Sequence, residues 1–425
     1  VAPHLKGRLA RIKALGLDRA SDLERPRGDE KNEAIGSSRS ASKRRAAKPA
    51  PLAGGKPSPD FLKGWEKRDE YLWSRTLHFN FDMSGSIDPA AFAPLNRSRS
   101  RPLGRRTAKA APVGEERVAS ERLRFFDLET TGLSGGAGTI AFLAAVGRAD
   151  DDGFELTQLF LQDFPGEASF ILALLELLRD GVVVSYNGKA FDMPLLRTRC
   201  VMNAIPAPAP PHIDALFASR RLWKRVHGGA ALELLEKEVL GLERLEDIPG
   251  SMIPEVWLGY ARTGEAPLMR QVLSHNAEDV ASLARLVSKA QSIFDRPRAV
   301  LASSAVDRAG LGRSLLAMGR GGEGEELLEA AAGDGDGAAA LFLARRYRIS
   351  GREADCRRVE PLLAGDYKAA TERAKACERL FGDLAEAARW AAAAMELAVK
   401  EEERQEAGKR IKRIERKIRR AGELP

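Results

Sequence analysis

The sequence predicts an α/β domain with a mixed central sheet flanked by helices, a disordered basic arm before it and an all-α helical-repeat region after it. Three observations lead there. Between Leu123 and Phe294 the apolar runs read three strands, helix, strand, helix, strand, helices, the order of a mixed sheet rather than a sandwich or a bundle. After Pro297 no strand pattern occurs. Residues 1–60 are rich in Ser, Ala, Pro, Lys and Arg, as in SSRSASKRRAAKPAPLAGGKPSP, a composition with too little apolar surface to form a core.

Taken in order, residues 1–60 form the arm. Residues 61–117 hold an aromatic cluster, Phe61, Trp65, Tyr71, Trp73, Phe79 and Phe81, expected to dock on the body as a small β-like appendage. A second basic linker, NRSRSRPLGRRTAKAAP, follows it. The α/β domain spans 118–296. LRFFD reads as a buried strand ending in a carboxylate; TIAFLAAVGRA and FELTQLFLQD read as two more, joined at Asp151, Asp152 and Gly153. ASFILALLELLRD has helical periodicity and is closed by Gly181. VVVSYN is a β-branched strand, AFDMPLLRTRCVMN a helix, and HIDAL a short apolar run after the loop IPAPAPP. The long pattern APLMRQVLSHNAEDVASLARLVSKAQSIF ends the domain. Over 297–425, small and apolar residues recur at helical spacing between Gly-rich turns, in the manner of tetratricopeptide-like hairpins. The last stretch, EEERQEAGKRIKRIERKIRR, reads as a solvated capping helix.

Charge is unevenly spread. Residues 1–120 carry 25 Lys/Arg against 14 Asp/Glu, so with a net charge of +8 the remainder is slightly acidic. A basic arm on such a body fits an anionic polymer as partner, or else a solubilising tail. No apolar run approaches the roughly 18 residues of a membrane span, so no membrane partner is expected. The three cysteines, Cys200, Cys356 and Cys377, have no metal-ligand spacing and suit a reduced, cytoplasmic compartment.

The chemistry concentrates in three places. In FFDLETTGL, Asp127 and Glu129 stand two apart and share one side of a strand. An otherwise apolar strand has no structural use for two acids, and burying them unpaired costs several kcal/mol each, so a cation is expected there. In SYNGKAFDMPLL a strand passes into a helix, with Asn187 on the turn and Asp192 near the helix start. Alone, Asp192 reads as a helix cap. In SHNAEDVASLARL, His275 and Asp279 stand four apart on one helical face, alone a surface pair.

Together, Asp-x-Glu, Asn-x3-Phe-Asp and His-x3-Asp resemble the three motifs of the DEDD exonucleases. The first is similar to that of polymerase proofreading subunits, and the second to the proofreading domain of family B DNA polymerases. The stretch 123–290, with HIDALFASRRLWKR and LEDIPGSMIPEVW, resembles the YprB-type ribonuclease H-like domain, which is often followed by tetratricopeptide-like helices. One departure stands out. The family's third motif is Tyr-x3-Asp or His-x4-Asp, whereas His275 sits at the tyrosine spacing, and one residue is about 100° of helix rotation.

The resemblance implies a ribonuclease H-like fold and a 3′→5′ exonuclease acting on single-stranded DNA or RNA. It implies two Mg2+ or Mn2+ ions on Asp127, Glu129, Asp192 and Asp279, hard oxygen ligands suited to those cations. His275 would serve as base, while Thr130, Leu133, Asn187 and Lys189 would contact substrate. Asp214, in HIDAL, would orient a ligand or Arg220–Arg221, and Arg220, Arg221 and Lys224, like Lys189, read equally as phosphate contacts or as solvated surface charge. The C-terminal helices could receive a protein partner. Two other readings compete. A nucleic-acid-binding protein could retain the fold with little turnover, although the complete carboxylate set counts against that. A pure repeat scaffold leaves Asp127 and Glu129 without a purpose.

Overall fold

A computed structural model describes residues 62–95, 117–132, 138–151, 153–244 and 247–422. All belong to one compact unit, Pro49–Pro425. The basic arm and the second linker lie outside the described residues.

Its centre is a seven-stranded sheet. In chain order the strands are β1 (Glu66–Lys67), β2 (Leu72–Phe79), β5 (Leu123–Thr130), β6 (Ala141–Asp150), β7 (Gly153–Leu161), β8 (Val182–Ser185) and β9 (His212–Asp214); β3 (Ser86–Ile87) and β4 (Val118–Ala119) pair apart from it. The spatial order is β1-β2-β7-β6-β5-β8-β9, antiparallel as far as β5 and parallel from β5 through β8 to β9. This is the mixed sheet that the strand–helix order implies. The five strands expected from Leu123 onward are all present.

The aromatic segment contributes more than an appendage. All eight residues of β2 pair with β7, from Leu72 opposite Leu161 to Phe79 opposite Phe154. Trp65 packs edge-on to Phe160, with ring centroids 6.1 Å apart. Trp73 donates its indole N–H to Gln162 at 2.8 Å. Residues flanked by linker-like sequence are thus the outer edge of the main sheet.

The helices of this half are α1 (Pro89–Phe92), α2 (Glu167–Leu177), α3 (Asp192–Met202), α4 (Ala215–Leu222), α5 (Lys224–His227), α6 (Leu232–Leu235), α7 (Ile253–Thr263) and α8 (Met269–Asp295). A π-helical turn, Glu236–Leu240, continues α6. One face of the sheet, including Phe126, Leu128 and Phe142, is covered by apolar residues of α2, α3 and α7. Trp257 of α7 stacks on Phe142 with centroids 5.1 Å apart. The opposite face, with Phe125, Ala145, Leu156 and Val184, packs under Ala277, Val280, Leu283 and Val287 of α8. The long helix therefore lies across the strand that carries the first motif. Between α2 and α3, Arg199 donates twice to Glu167, at 2.5 and 2.6 Å, and both side chains are buried. This pair fixes the helix that begins with Asp192.

The C-terminal half is helical throughout: α9 (Arg308–Ala317), α10 (Gly321–Gly333), α11 (Gly337–Ile349), α12 (Glu353–Val359), α13 (Tyr367–Ala376), α14 (Leu384–Leu397) and α15 (Glu401–Gly422). Asp307 caps α9 by accepting from Gly310, and its own backbone N–H donates to Leu222 at the end of α4. A Cβ on Gly310 would lie 2.0 Å from the Arg221 carbonyl, so glycine is what lets α9 close on α4. The final helix is tied down as well as solvated, since Arg413 and Lys417 reach the buried Glu378 at 2.6 and 2.9 Å. Cys200, Cys356 and Cys377 are free and buried. Among the described residues no helix is long and apolar enough to cross a membrane.

Where β8 meets β9, His212 Nε2 lies 2.7 Å from Ser185 Oγ. Burial, with the charges of Lys189 and Arg197, pushes this imidazole down to about 4 from its ordinary 6.5. Between those values the unfolded chain binds the extra proton, so stability rises with pH there. The contribution is complete above about pH 6.5 and is lost as pH falls toward 4. The urea midpoint of the native chain should therefore fall more steeply across this window than that of His212→Asn. Parallel profiles for the two would contradict this.

Candidate active site

The alternation of β5 builds the first part of the site. Leu123 and Phe125 are fully buried in the core shared with α8, and the same parity brings Asp127 and Glu129 to that side. Asp127 stands opposite Ala145 and Glu129 opposite Leu143, and the register shifts between Glu129 and Thr130. Both carboxyls are held well above the usual carboxylate range. For Asp127 the causes are burial and then the charges of Asp192, Glu129 and Asp279; for Glu129 they are burial, Asp279 and Asp192, partly offset by Arg244. Two acids that face each other's charge and the low-dielectric interior resist ionisation together.

Asp192 enters from the second motif. It does not cap its helix: the N-cap position of α3 is Phe191, without a side-chain hydrogen bond. Burial pushes the Asp192 carboxyl up to about 7, opposed by backbone hydrogen bonds and reinforced by Asp214. The turn before it is shaped by two conformational demands. Asn187 has φ +68°, a left-handed conformation that asparagine tolerates better than most residues. A Cβ on Gly188 would lie 2.8 Å from Asp192 Oδ2 and closer still to Ser185, so only glycine lets the loop pass. Asp214, buried at the end of β9, clamps this loop. It accepts from the backbone N–H of Asn187 at 2.8 Å and Lys189 at 3.2 Å, and from Leu216 at 3.1 Å as the N-cap of α4.

Asp279 and His275 come from α8. His275 Nε2 lies 3.6 Å from Asp279 Oδ2 and 3.9 Å from Glu129 Oε1. Its Nδ1 lies 2.8 Å from Asp247 Oδ1. Nδ1–H donated to Asp247 turns the Nε2 lone pair toward the carboxylates, whereas Nδ1 accepting from Arg244 Nη1, 3.1 Å away, turns Nε2–H toward them. The His-x3-Asp spacing thus keeps histidine and aspartate at one site. Asp279 is held above the ordinary range by burial, against the lowering effect of His275 and Arg244.

Arg244 gives the site a cation of its own. Its side chain is 9% exposed, and it donates to Asp279 and to the buried Glu236, with Asp247 at 3.4 Å. Asp127, Glu129, Asp192, Asp279, Glu236 and Asp247 outnumber that single guanidinium, so the donor set fits further positive charge of the hard, oxygen-seeking kind. Arg244, Glu236 and Asp247 belong to none of the three motifs: Glu236 lies in LLEKEVL, and Arg244 and Asp247 in the charged stretch GLERLEDIPG.

The remaining expectations divide. Thr130 donates its hydroxyl to the Gly132 carbonyl at 2.9 Å, closing the turn after β5. Leu133 lies outside the described residues. Lys189 is exposed beside the second motif, and Arg220 and Lys224 are exposed on α4 and α5. Arg221 is no phosphate contact. It donates to the Ala91 and Ala93 carbonyls at the end of α1, and burial pushes it down to about 10. Asp214 holds backbone N–H groups rather than arginines. Among the described residues, the group of three His, Cys, Asp or Glu side chains whose ligand atoms all lie within 4.8 Å of one another is elsewhere, at His78, Asp150 and Glu155. There Arg148 is already paired with Glu155 at 2.7 Å.

Residues 124–291 match the sequence profile of the RNase_H superfamily. The chain is similar to the "Uncharacterized protein YprB" of Bacillus subtilis (strain 168), 32% identical over 237 residues, which are 53% of this chain and 56% of that protein. The chain thus spans little more than half the length of that relative. Among solved structures it is similar to the family B DNA polymerase of the hyperthermophilic archaeon Pyrobaculum calidifontis. There the identity is 18% and the TM-score 0.33, over 51% of this chain and 29% of that one. Profile match and sheet topology agree: residues 124–291 of this chain form an RNase H-like domain.

Proposed function

We propose that this chain is a metal-dependent nuclease, a 3′→5′ exonuclease that hydrolyses phosphodiester bonds of single-stranded DNA or RNA. The observation that carries this reading is the convergence of Asp127, Glu129, Asp192 and Asp279 from β5, α3 and α8, all four held above the ordinary carboxylate range by burial, with the charges of neighbouring acids adding to it. Such a cluster has a use where cations are taken up. Two Mg2+ or Mn2+ ions would supply Lewis acidity and lower the pKa of attacking water. Asp127, which faces the charges of the other three, would be shared between the two sites, with Glu129, Asp192 and Asp279 completing them. His275, oriented by Asp247, would accept the proton of the attacking water at Nε2. The loop Asn187–Lys189, held by Asp214, would position the strand, and the C-terminal helices are a candidate surface for a protein partner.

A second reading has one observation in its favour. Arg244 already pairs with Asp279, so the domain could bind nucleic acid with little turnover. Release of nucleotides from 5′- and 3′-labelled single strands, with Mn2+ and with chelator, separates the two. Asp127→Asn should abolish metal-dependent release while leaving the circular dichroism unchanged. Unaltered activity in that variant would sink the assignment. His275→Ala should lower turnover by roughly two to four orders of magnitude with little change in metal requirement. Asp279→Ala should instead raise the metal concentration needed. Near-normal turnover in His275→Ala would place the base elsewhere.

A further inference from the structure

A row of residues crosses the sheet behind Asp127. Asp127 of β5 stands opposite Ala145 of β6, Ala145 opposite Gln158 of β7, and Gln158 opposite Arg75 of β2. Opposed residues share a face, so all four point toward α8. Ala145 is small, and across the space above it Asn276 of α8 bridges Gln158 and Asp127. Asn276 donates from Nδ2 to Asp127 Oδ2 at 3.0 Å, and its Oδ1 accepts from Gln158 Nε2 at 3.0 Å. Gln158 Nε2 also donates to the Leu273 carbonyl at 2.9 Å, and its Oε1 accepts from Arg75 Nε at 2.8 Å. Gln158 and Asn276 are both completely buried.

We infer that Arg75, Gln158 and Asn276 act as a positioning relay that presents a hydrogen-bond donor to Asp127 and fixes its carboxylate for cation uptake. Polarity fixes the direction of the row. An amide can face a neighbour with its oxygen or with its nitrogen. Arginine has donors only, so Gln158 must turn its oxygen to Arg75 and its nitrogen to Asn276. Asn276 then turns its oxygen to Gln158 and its nitrogen to Asp127. The Leu273 carbonyl reinforces the same setting of Gln158. Reversing the row would aim the Asn276 oxygen at a carboxylate and leave buried polar atoms unpaired, a costly arrangement. Arg75 is fixed in turn by the Trp65 ring, 4.8 Å below its guanidinium. The relay begins on β2, outside the stretch 124–291 that matches the superfamily profile. An edge strand added to the domain thus takes part in its site.

This inference rests on the proposed metal-dependent reading, and the test keeps the two apart. Mn2+ binding to the full chain is measured by calorimetry, beside the urea midpoint of each variant. Asn276→Ala should weaken binding about ten- to hundredfold, the usual effect of removing a partner of a metal ligand. Arg75→Met, at the half-buried sheet edge, should weaken it in the same direction. The double variant should bind no more weakly than Asn276→Ala, because both substitutions break one chain. Gln158→Glu is the sharpest arm. An added negative charge near the site would by itself strengthen cation binding, but a carboxylate cannot donate to Asn276, so the relay requires binding to weaken. Strengthened binding in Gln158→Glu, full additivity in the double variant, or unchanged affinity in Arg75→Met would overturn the relay. Should Gln158→Glu fail to fold, the other three variants decide alone. A native chain that takes up no Mn2+ would overturn the metal reading, and the relay with it.

Discussion

Repulsion between buried carboxylates is the constraint around which this domain is arranged. Asp127, Glu129, Asp192 and Asp279 each lose hydration on folding, and the charges of neighbouring acids add to the cost of ionising each of them. Nothing in the core gains from this. The cost is borne because strong elements impose it. A central strand carries two of the acids, a helix pinned by the Arg199–Glu167 pair carries the third, and a 27-residue helix across the sheet carries the fourth. A weaker scaffold would relax by letting the acids drift into water.

Compensation is local and partial. Arg244 sits among Asp279, Glu236 and Asp247, and His275 stands between Asp247 and the cluster. Asn276 offers Asp127 a neutral donor, whereas an arginine in its place would compete with an incoming cation. Backbone takes part too. Asp214 holds the N–H groups of Asn187 and Lys189, so the loop before Asp192 is shaped by a carboxylate that is itself satisfied. The helical C-terminal half adds a buttress, since α9 closes against the carbonyl of Arg221 through a glycine.

Much of this was legible in the sequence. Period-two alternation in LRFFDLET and the β-branched VVVS mark β5 and β8, and acids where that alternation calls for apolar residues mark the site. Helical spacing put His275 and Asp279 on one face, and the structure sets His275 between Asp279 and Glu129. What escaped notice has physical reasons. β2 has a strand's alternation, but its neighbours are basic linkers, and its place as the partner of β7 depends on a long-range pairing that no local pattern encodes. Gln158 and Asn276 are polar residues on otherwise buried faces, informative only once the two faces are known to meet. Glu236 lies in a helical turn and Arg244 in the loop after it, where charged residues carry no periodic signal. Arg221 was misjudged for the converse reason. A basic residue beside a proposed nuclease site suggests phosphate, yet its partners are carbonyls more than a hundred residues earlier.

The central claim is that the four converging carboxylates are a site for divalent cations. Crystals grown with Mn2+ and measured at the manganese absorption edge test it most directly. The account requires two anomalous peaks, about 4 Å apart, among Asp127, Glu129, Asp192 and Asp279, with Arg244 turned away from any ligand oxygen it had held. Manganese found only at His78, Asp150 and Glu155, with Arg244 still seated on Asp279, would contradict it.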